Sequence, residues 1–214
     1  METQSDRGTP IRTTAALETF GVPEPKIRDK VLPALEEVHK EWLAATSLIL
    51  IATASPDGRC DVSPKGDPAG FIKILVDTTI AIPERPGNKR MDGFHNILAN
   101  PHAGLLCLIP GRSDTLRVNG KAQIVRDAPF LSDMVVKRHE PKLALVIDVE
   151  EVFFHCPKAF RRSNTWSPDA WDTGSARPYA EIALDLWRKG EDRDEVKARY
   201  QESSYDEGLY TPTA

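Results

Sequence analysis

Between Ser47 and Val125 the chain alternates short β-forming runs with turn signals, and this cadence restricts the folds open to it more than any other feature. Ser47–Ala54 is a β-rich run that passes through Ser55-Pro56-Asp57-Gly58 into a second run, Arg59–Pro64, the pattern of a hairpin. Phe71–Val76 and Thr79–Ile82 follow, joined by Asp77-Thr78. A helix is predicted over Lys89–Leu98, closed by Asn100-Pro101. Strands then resume at Ala103–Ile109, Thr115–Val118 and Lys121–Val125, with Asn119-Gly120 predicting a tight turn between the last two. A short helix near Pro129–Lys137 and a mostly apolar run, Lys142–Phe154, bring the count to about eight strands. Short strands joined by turns, with few helices between them, favour an antiparallel barrel over a parallel sheet. The expected class is therefore mainly β with flanking helices.

The flanks read differently. Residues 1–20 are polar and patternless, the composition of a loose arm. From Glu24 to Ala45, Ile27, Val31, Leu35, Val38, Trp42 and Leu43 recur at helical spacing, interrupted by Pro33. This predicts a short helix and then a longer one with Pro33 near its first turn. After Pro157 come another helical stretch and, around Asp192–Glu202, a charged helix. The organisation predicted is an arm over 1–20, one domain over 21–171 and a helical extension over 172–214.

Composition excludes several functions. The 214 residues carry a net charge of −4, which speaks against a broad nucleic-acid surface. No apolar run approaches the ~20 residues of a membrane span. The three cysteines, Cys60, Cys107 and Cys156, form no closely spaced pair, which suits a reducing cytoplasm and no disulfide framework. No histidine shows metal-ligand spacing, and neither a nucleophile elbow nor a phosphate-cradling glycine loop is present.

Three segments could carry chemistry. Glu84-Arg85-Pro86-Gly87-Asn88-Lys89-Arg90 places three cations where a loop enters a helix. Unpaired N–H groups and charged side chains there favour an anion such as phosphate. The same residues also suit a solvated basic loop pairing with Glu84 and Asp92. In Asp61-Val62-Ser63-Pro64-Lys65, strand alternation sends Asp61, Ser63 and Lys65 to one face, a polar wall beside a ligand or a plain surface strand. Finally, Arg162 and Trp166 stand four apart, and if a helix persists that far they present a cation and an aromatic plane to a flat heterocycle. Packing of Trp166 into a core is the competing reading. His155 and Cys156, adjacent on a strand, point to opposite faces and do not share a metal.

Taken in order, GRCDVSPKGD, IPERPGNKR, NILANPHAGLL and TLRVNGKAQIV resemble the pyridoxamine 5′-phosphate oxidase superfamily. With VFFHCPKAFRRSNTW, the likeness runs from about Glu24 to Trp171 and is closer to a subgroup of FMN-dependent enzymes of unassigned substrate. The resemblance implies a split antiparallel β-barrel of the FMN-binding type, working as a homodimer with FMN at the interface. It implies an oxidoreductase acting on a small molecule. By the same resemblance Asn88, Lys89 and Arg90 hold the phosphate, and Asp61, Val62, Ser63 and Lys65 lie along the ribityl chain and ring edge. Ile82 and Pro83 make the next contact, Thr115 a further one, and Arg162 and Trp166 match C-terminal elements of the subgroup. No catalytic acid or base is assigned. Related barrels bind a deazaflavin, which leaves a deazaflavin-dependent reductase as an alternative; a non-catalytic flavin or haem carrier, or an electron-transfer protein, is another. The ending Asp206-Glu207-Gly208-Leu209-Tyr210-Thr211-Pro212-Thr213-Ala214 lacks the family's Trp- and Arg-rich product-binding signature, so oxidation of vitamin B6 is not implied.

Overall fold

The computed structural model describes residues 8–210; residues 1–7 of the expected arm and 211–214 lie outside the described residues. The chain divides into two compact units, 1–31 and 32–214. In the first, α1 (Thr14–Glu18) starts where the Ala16 N–H donates to the Thr13 side chain at 3.2 Å, and α2 (Pro25–Arg28) starts with a proline in its first turn. Neither helix buries a residue.

The second unit is built on seven strands: β1 (Leu48–Ala54), β2 (Cys60–Gly66), β3 (Lys73–Val76), β4 (Thr79–Pro83), β5 (His102–Leu108), β6 (Thr115–Arg126) and β7 (Leu143–His155). They form one sheet in the order β2-β1-β5-β6-β7-β4-β3, with every pairing antiparallel. The fold is the mainly β split barrel with flanking helices that the sequence predicts. α3 (Glu37–Ala45) packs His39, Trp42 and Leu43 inward, while Val38 faces out. This helix begins four residues after Pro33, which therefore lies outside it rather than in its first turn. α4 (Asp92–Ala99) buries Phe94 and Ile97. The interior is apolar, with Leu43, Ile49, Ile80, Leu116 and Ile147 fully enclosed. Beyond β7 come α5 (Lys158–Arg162), α6 (Tyr179–Leu186), α7 (Arg193–Arg199) and α8 (Glu202–Gly208). Pro129–Met134 is a 3-10 turn instead of a longer helix.

One prediction fails in an instructive place. Asn119-Gly120 is not a turn: β6 runs unbroken from Thr115 to Arg126, and seven strands replace the expected eight. Asn119 pairs with Glu151 and Gly120 with Val149, so β7 bulges at that point. A Cβ on Gly120 would lie 2.0 Å from the Asp148 carbonyl oxygen. Glycine is there because a backbone passes too close for any side chain, not because the chain reverses.

Among the described residues no helix is long and apolar enough to cross a membrane, and no group of three or more His, Cys, Asp or Glu could hold a metal ion. All three cysteines are free, and burial pushes the Cys107 thiol up to about 12.

Candidate functional site

β2 and β4 lie far apart in the strand order, yet side chains link their ends across the opening of the barrel. Lys65 on β2 pairs with Glu84, just past β4, and Asp67 accepts from Arg85 Nε at 2.6 Å. The second pair is almost enclosed, with side-chain exposures of 1% for Asp67 and 12% for Arg85. Arg85 also donates to the carbonyl of Met134 at 2.7 Å and that of His139 at 3.4 Å. Beside these bridges lies a groove of about 400 Å³, floored by Ile51, Phe94, Ile97 and Leu145.

Local rules explain its walls. The exposure of β2 alternates, with Asp61, Ser63 and Lys65 half-buried toward the groove and Val62 outward, as strand geometry dictates. Ser63 lies 3.3 Å from the Asp61 carboxylate. α4 sits close because Gly93 has no side chain: a Cβ there would lie 3.2 Å from the Asp61 carboxylate. Asn96 ties the same helix to Thr53 on β1 at 3.1 Å. The Lys65 ammonium rests 5.2 Å from the Phe94 ring centre. The lip between β4 and α4 is tightly bent, with Lys89 and Met91 both at positive φ (60° and 53°).

The residues singled out from the sequence separate into distinct places. Ser63, Lys65, Pro83 and Asn88 line the groove together, with Asp61 beside Ser63. Ile82 is enclosed in the core, paired with Leu145. Lys89 faces a smaller cavity of about 210 Å³ on the other side of the lip, with His139 and Lys142. Arg90 is exposed and bound to Asp92, which raises its pKa further above the usual guanidinium value. Val62 and the enclosed Thr115 line another cavity, also about 400 Å³, on the outer face of the sheet. Arg162 is exposed at the end of α5, and the helix stops there, with Asn164 at φ 52°. Trp166 instead stacks on Phe160, ring centres 6.0 Å apart, and donates to the Arg112 carbonyl at 2.7 Å. Arg162 and Trp166 thus present no joint face along a continuing helix.

The groove also contains residues to which the sequence assigns no place in the site. Glu84 pairs with Lys65 rather than with its own loop, and Asp67 and Arg85 form the enclosed pair beside it. Strand parity alone would have placed Asp67 on the face shared by Ser63 and Lys65. Each cation that lines the groove already has a carboxylate partner, so the groove interior offers no spare positive charge.

A sequence profile for the family described as pyridoxamine 5′-phosphate oxidase matches residues 35–156, more than half of the chain. The chain belongs to the pyridoxamine 5′-phosphate oxidase family. The matched span holds every groove residue and ends before Arg162 and Trp166. No curated protein matches the sequence. Among solved structures, a candidate pyridoxamine 5′-phosphate oxidase from Lactobacillus delbrueckii is 22% identical, covering 57% of this chain and 95% of its own, with a TM-score of 0.45. HupZ from Group A Streptococcus is 18% identical, covering 56% and 93%, with a TM-score of 0.45. A pyridoxamine 5′-phosphate oxidase-related, FMN binding protein from Nostoc punctiforme is 13% identical, covering 54% and 76%, with a TM-score of 0.37.

Proposed function

We propose that this member of the pyridoxamine 5′-phosphate oxidase family is an FMN-dependent oxidoreductase acting on a small molecule in the cytoplasm, with the flavin in the groove between β2 and α4. The observation that carries this reading is the convergence of Ser63, Lys65, Pro83 and Asn88, from two separate stretches of the chain, on one cavity of about 400 Å³. An apolar floor with a few converging polar groups suits a flat ring that has a polar edge. FMN, when bound, supplies electron transfer at its ring, and the protein's part is binding and orientation. Phe94 and Ile97 exclude water from one side. Ser63 and Lys65 offer hydrogen bonds to a carbonyl or a developing negative charge, and Glu84 keeps Lys65 in place.

The charge balance supports a phosphate site at the lip. The cations inside the groove are neutralised, so a group of charge about −2 needs those at the lip, Lys89 and Arg90. Arg90 reaches it by exchanging Asp92 for the phosphate. Asn88, whose side chain accepts from the Arg90 N–H at 3.0 Å, shapes that lip.

A homodimer is part of the same proposal, and the outer face supports it. Leu50, Ala52, Val62 and Leu106 leave an apolar surface there, with Val62 59% exposed. A second copy would cover it.

The test is the absorption spectrum of the purified protein, followed by titration of the stripped protein with FMN, a deazaflavin and haem. Retention of FMN is expected, as is turnover of reduced pyridine nucleotide with oxygen or a quinone. A colourless protein that takes up none of the three, or prefers another to FMN, overturns the reading. In the Lys89→Ala/Arg90→Ala double variant FMN affinity should fall about a hundredfold, and unchanged affinity would remove the phosphate assignment.

A further inference from the structure

The C-terminal segment returns to the groove. Tyr210, 143 residues beyond Asp67 in the chain, donates its hydroxyl to Asp67 Oδ1 at 2.5 Å, while Arg85 holds Oδ2 of the same carboxylate. The Arg85 guanidinium lies 5.8 Å from the Tyr210 ring centre and the Lys137 ammonium 5.4 Å from it. Four segments therefore meet around the enclosed Asp67–Arg85 pair: the residue after β2 through Asp67, the groove lip through Arg85, the 134–139 turn through its carbonyls on Arg85, and the C-terminal segment through Tyr210. We propose that Tyr210 is a positioning residue that clasps the Asp67–Arg85 pair and so sets how long a ligand stays in the groove.

The physical case begins with Asp67. A carboxylate with 1% side-chain exposure needs partners on both oxygens, because leaving one unmet forfeits its hydration without replacement. Arg85 satisfies one oxygen and Tyr210 the other. Burial and the neighbouring Asp67 push the Tyr210 phenol up to about 12, so it remains a donor throughout the physiological range. Arg85 in turn links Asp67 to the Met134 and His139 carbonyls, and both Asp67 and Arg85 line the groove. Loosening the Tyr210 end leaves Asp67 half-satisfied and frees Arg85 to move with the lip. Asp67 and Arg85 lie within the 35–156 span that matches the family, and Tyr210 lies beyond it.

Two measurements on the full chain, with Tyr210→Phe and Tyr210→Ala, test this. The first is amide hydrogen exchange of residues 84–91 and 134–139 without any ligand. The alanine variant should exchange about tenfold faster there, and the phenylalanine variant, which keeps the ring on its two cations, should fall between it and the parent. The second is the rate of FMN release, which should rise about tenfold in Tyr210→Ala while association stays within about twofold. Only this second arm rests on the flavin reading. Faster exchange in a protein that binds no FMN sinks the flavin and leaves the clasp; unchanged exchange and unchanged release in both variants sink the clasp and leave the flavin. A uniform loss of protection across all seven strands would also overturn it, because it would make Tyr210 a general prop of the fold.

Discussion

The two faces of β2 solve opposite problems with adjacent residues. Toward the groove, Ser63 and Lys65 stand where each cation is already paired with a carboxylate, beside space large enough for a ligand. Toward the outside, Val62 joins Leu50, Ala52 and Leu106 around an equally large space with few charges. Volume alone does not separate the two. What separates them is that the first has already met the cost of desolvating its charges by pairing them, so that a polar ligand adds to a prepared site. The second is a surface whose only gain comes from apolar cover.

Substitutions on each face put this contrast to the test. The largest effect is expected at the enclosed pair: Arg85→Ala strands Asp67 and should lower stability by about 3 kcal/mol, read from denaturant unfolding. A loss no larger than that of an exposed arginine would show the pair to be ornamental. On the outer face, Val62→Asp should weaken self-association about a hundredfold by sedimentation, with the fold intact by circular dichroism. If the protein is monomeric to begin with, the outer face has another use. The matching change one residue away, Ser63→Ala, should weaken FMN about fivefold and leave association unaltered. Should both variants affect the same property, the two faces are not independent.

A smaller effect concerns pH. Burial pushes the His39 imidazole below its usual value of 6.5, against a weaker upward pull from Glu36, and its Nδ1 accepts from the Glu36 N–H at 3.0 Å. The unfolded chain then takes up the proton more readily than the folded one. Stability from this group is complete above about pH 6.5 and is lost as pH falls below it. The denaturation midpoint should drop between about pH 7.5 and about pH 5, and His39→Gln should flatten that slope. Smallest of all, Arg90→Ala alone should leave the melting temperature unchanged, since its pair with Asp92 lies at the surface.

The strand cadence and the parity of β2 were legible because both follow from backbone geometry within one element. Alternation fixes which of Asp61, Val62, Ser63 and Lys65 share a face wherever that strand lies. Asn119-Gly120 was misread because the same dipeptide serves a turn or a close backbone approach, and only the passage of β7 at Asp148 decides which. Arg162 and Trp166 were joined by a helical spacing that the left-handed Asn164 interrupts. Arg90 stands just before α4, and its direction depends on Asp92 two residues on.

From its own residues, then, the chain declares most of its strands, their antiparallel class and its family, since these rest on local periodicity and ordered motifs. The meeting of Lys65 with Glu84, of Asp67 with Arg85, and of both oxygens of Asp67 with residues 18 and 143 positions away was decided only by tertiary structure. The reason is physical: the partner of a buried charge is chosen by which segments the curled sheet brings together, and no short stretch of chain carries that information.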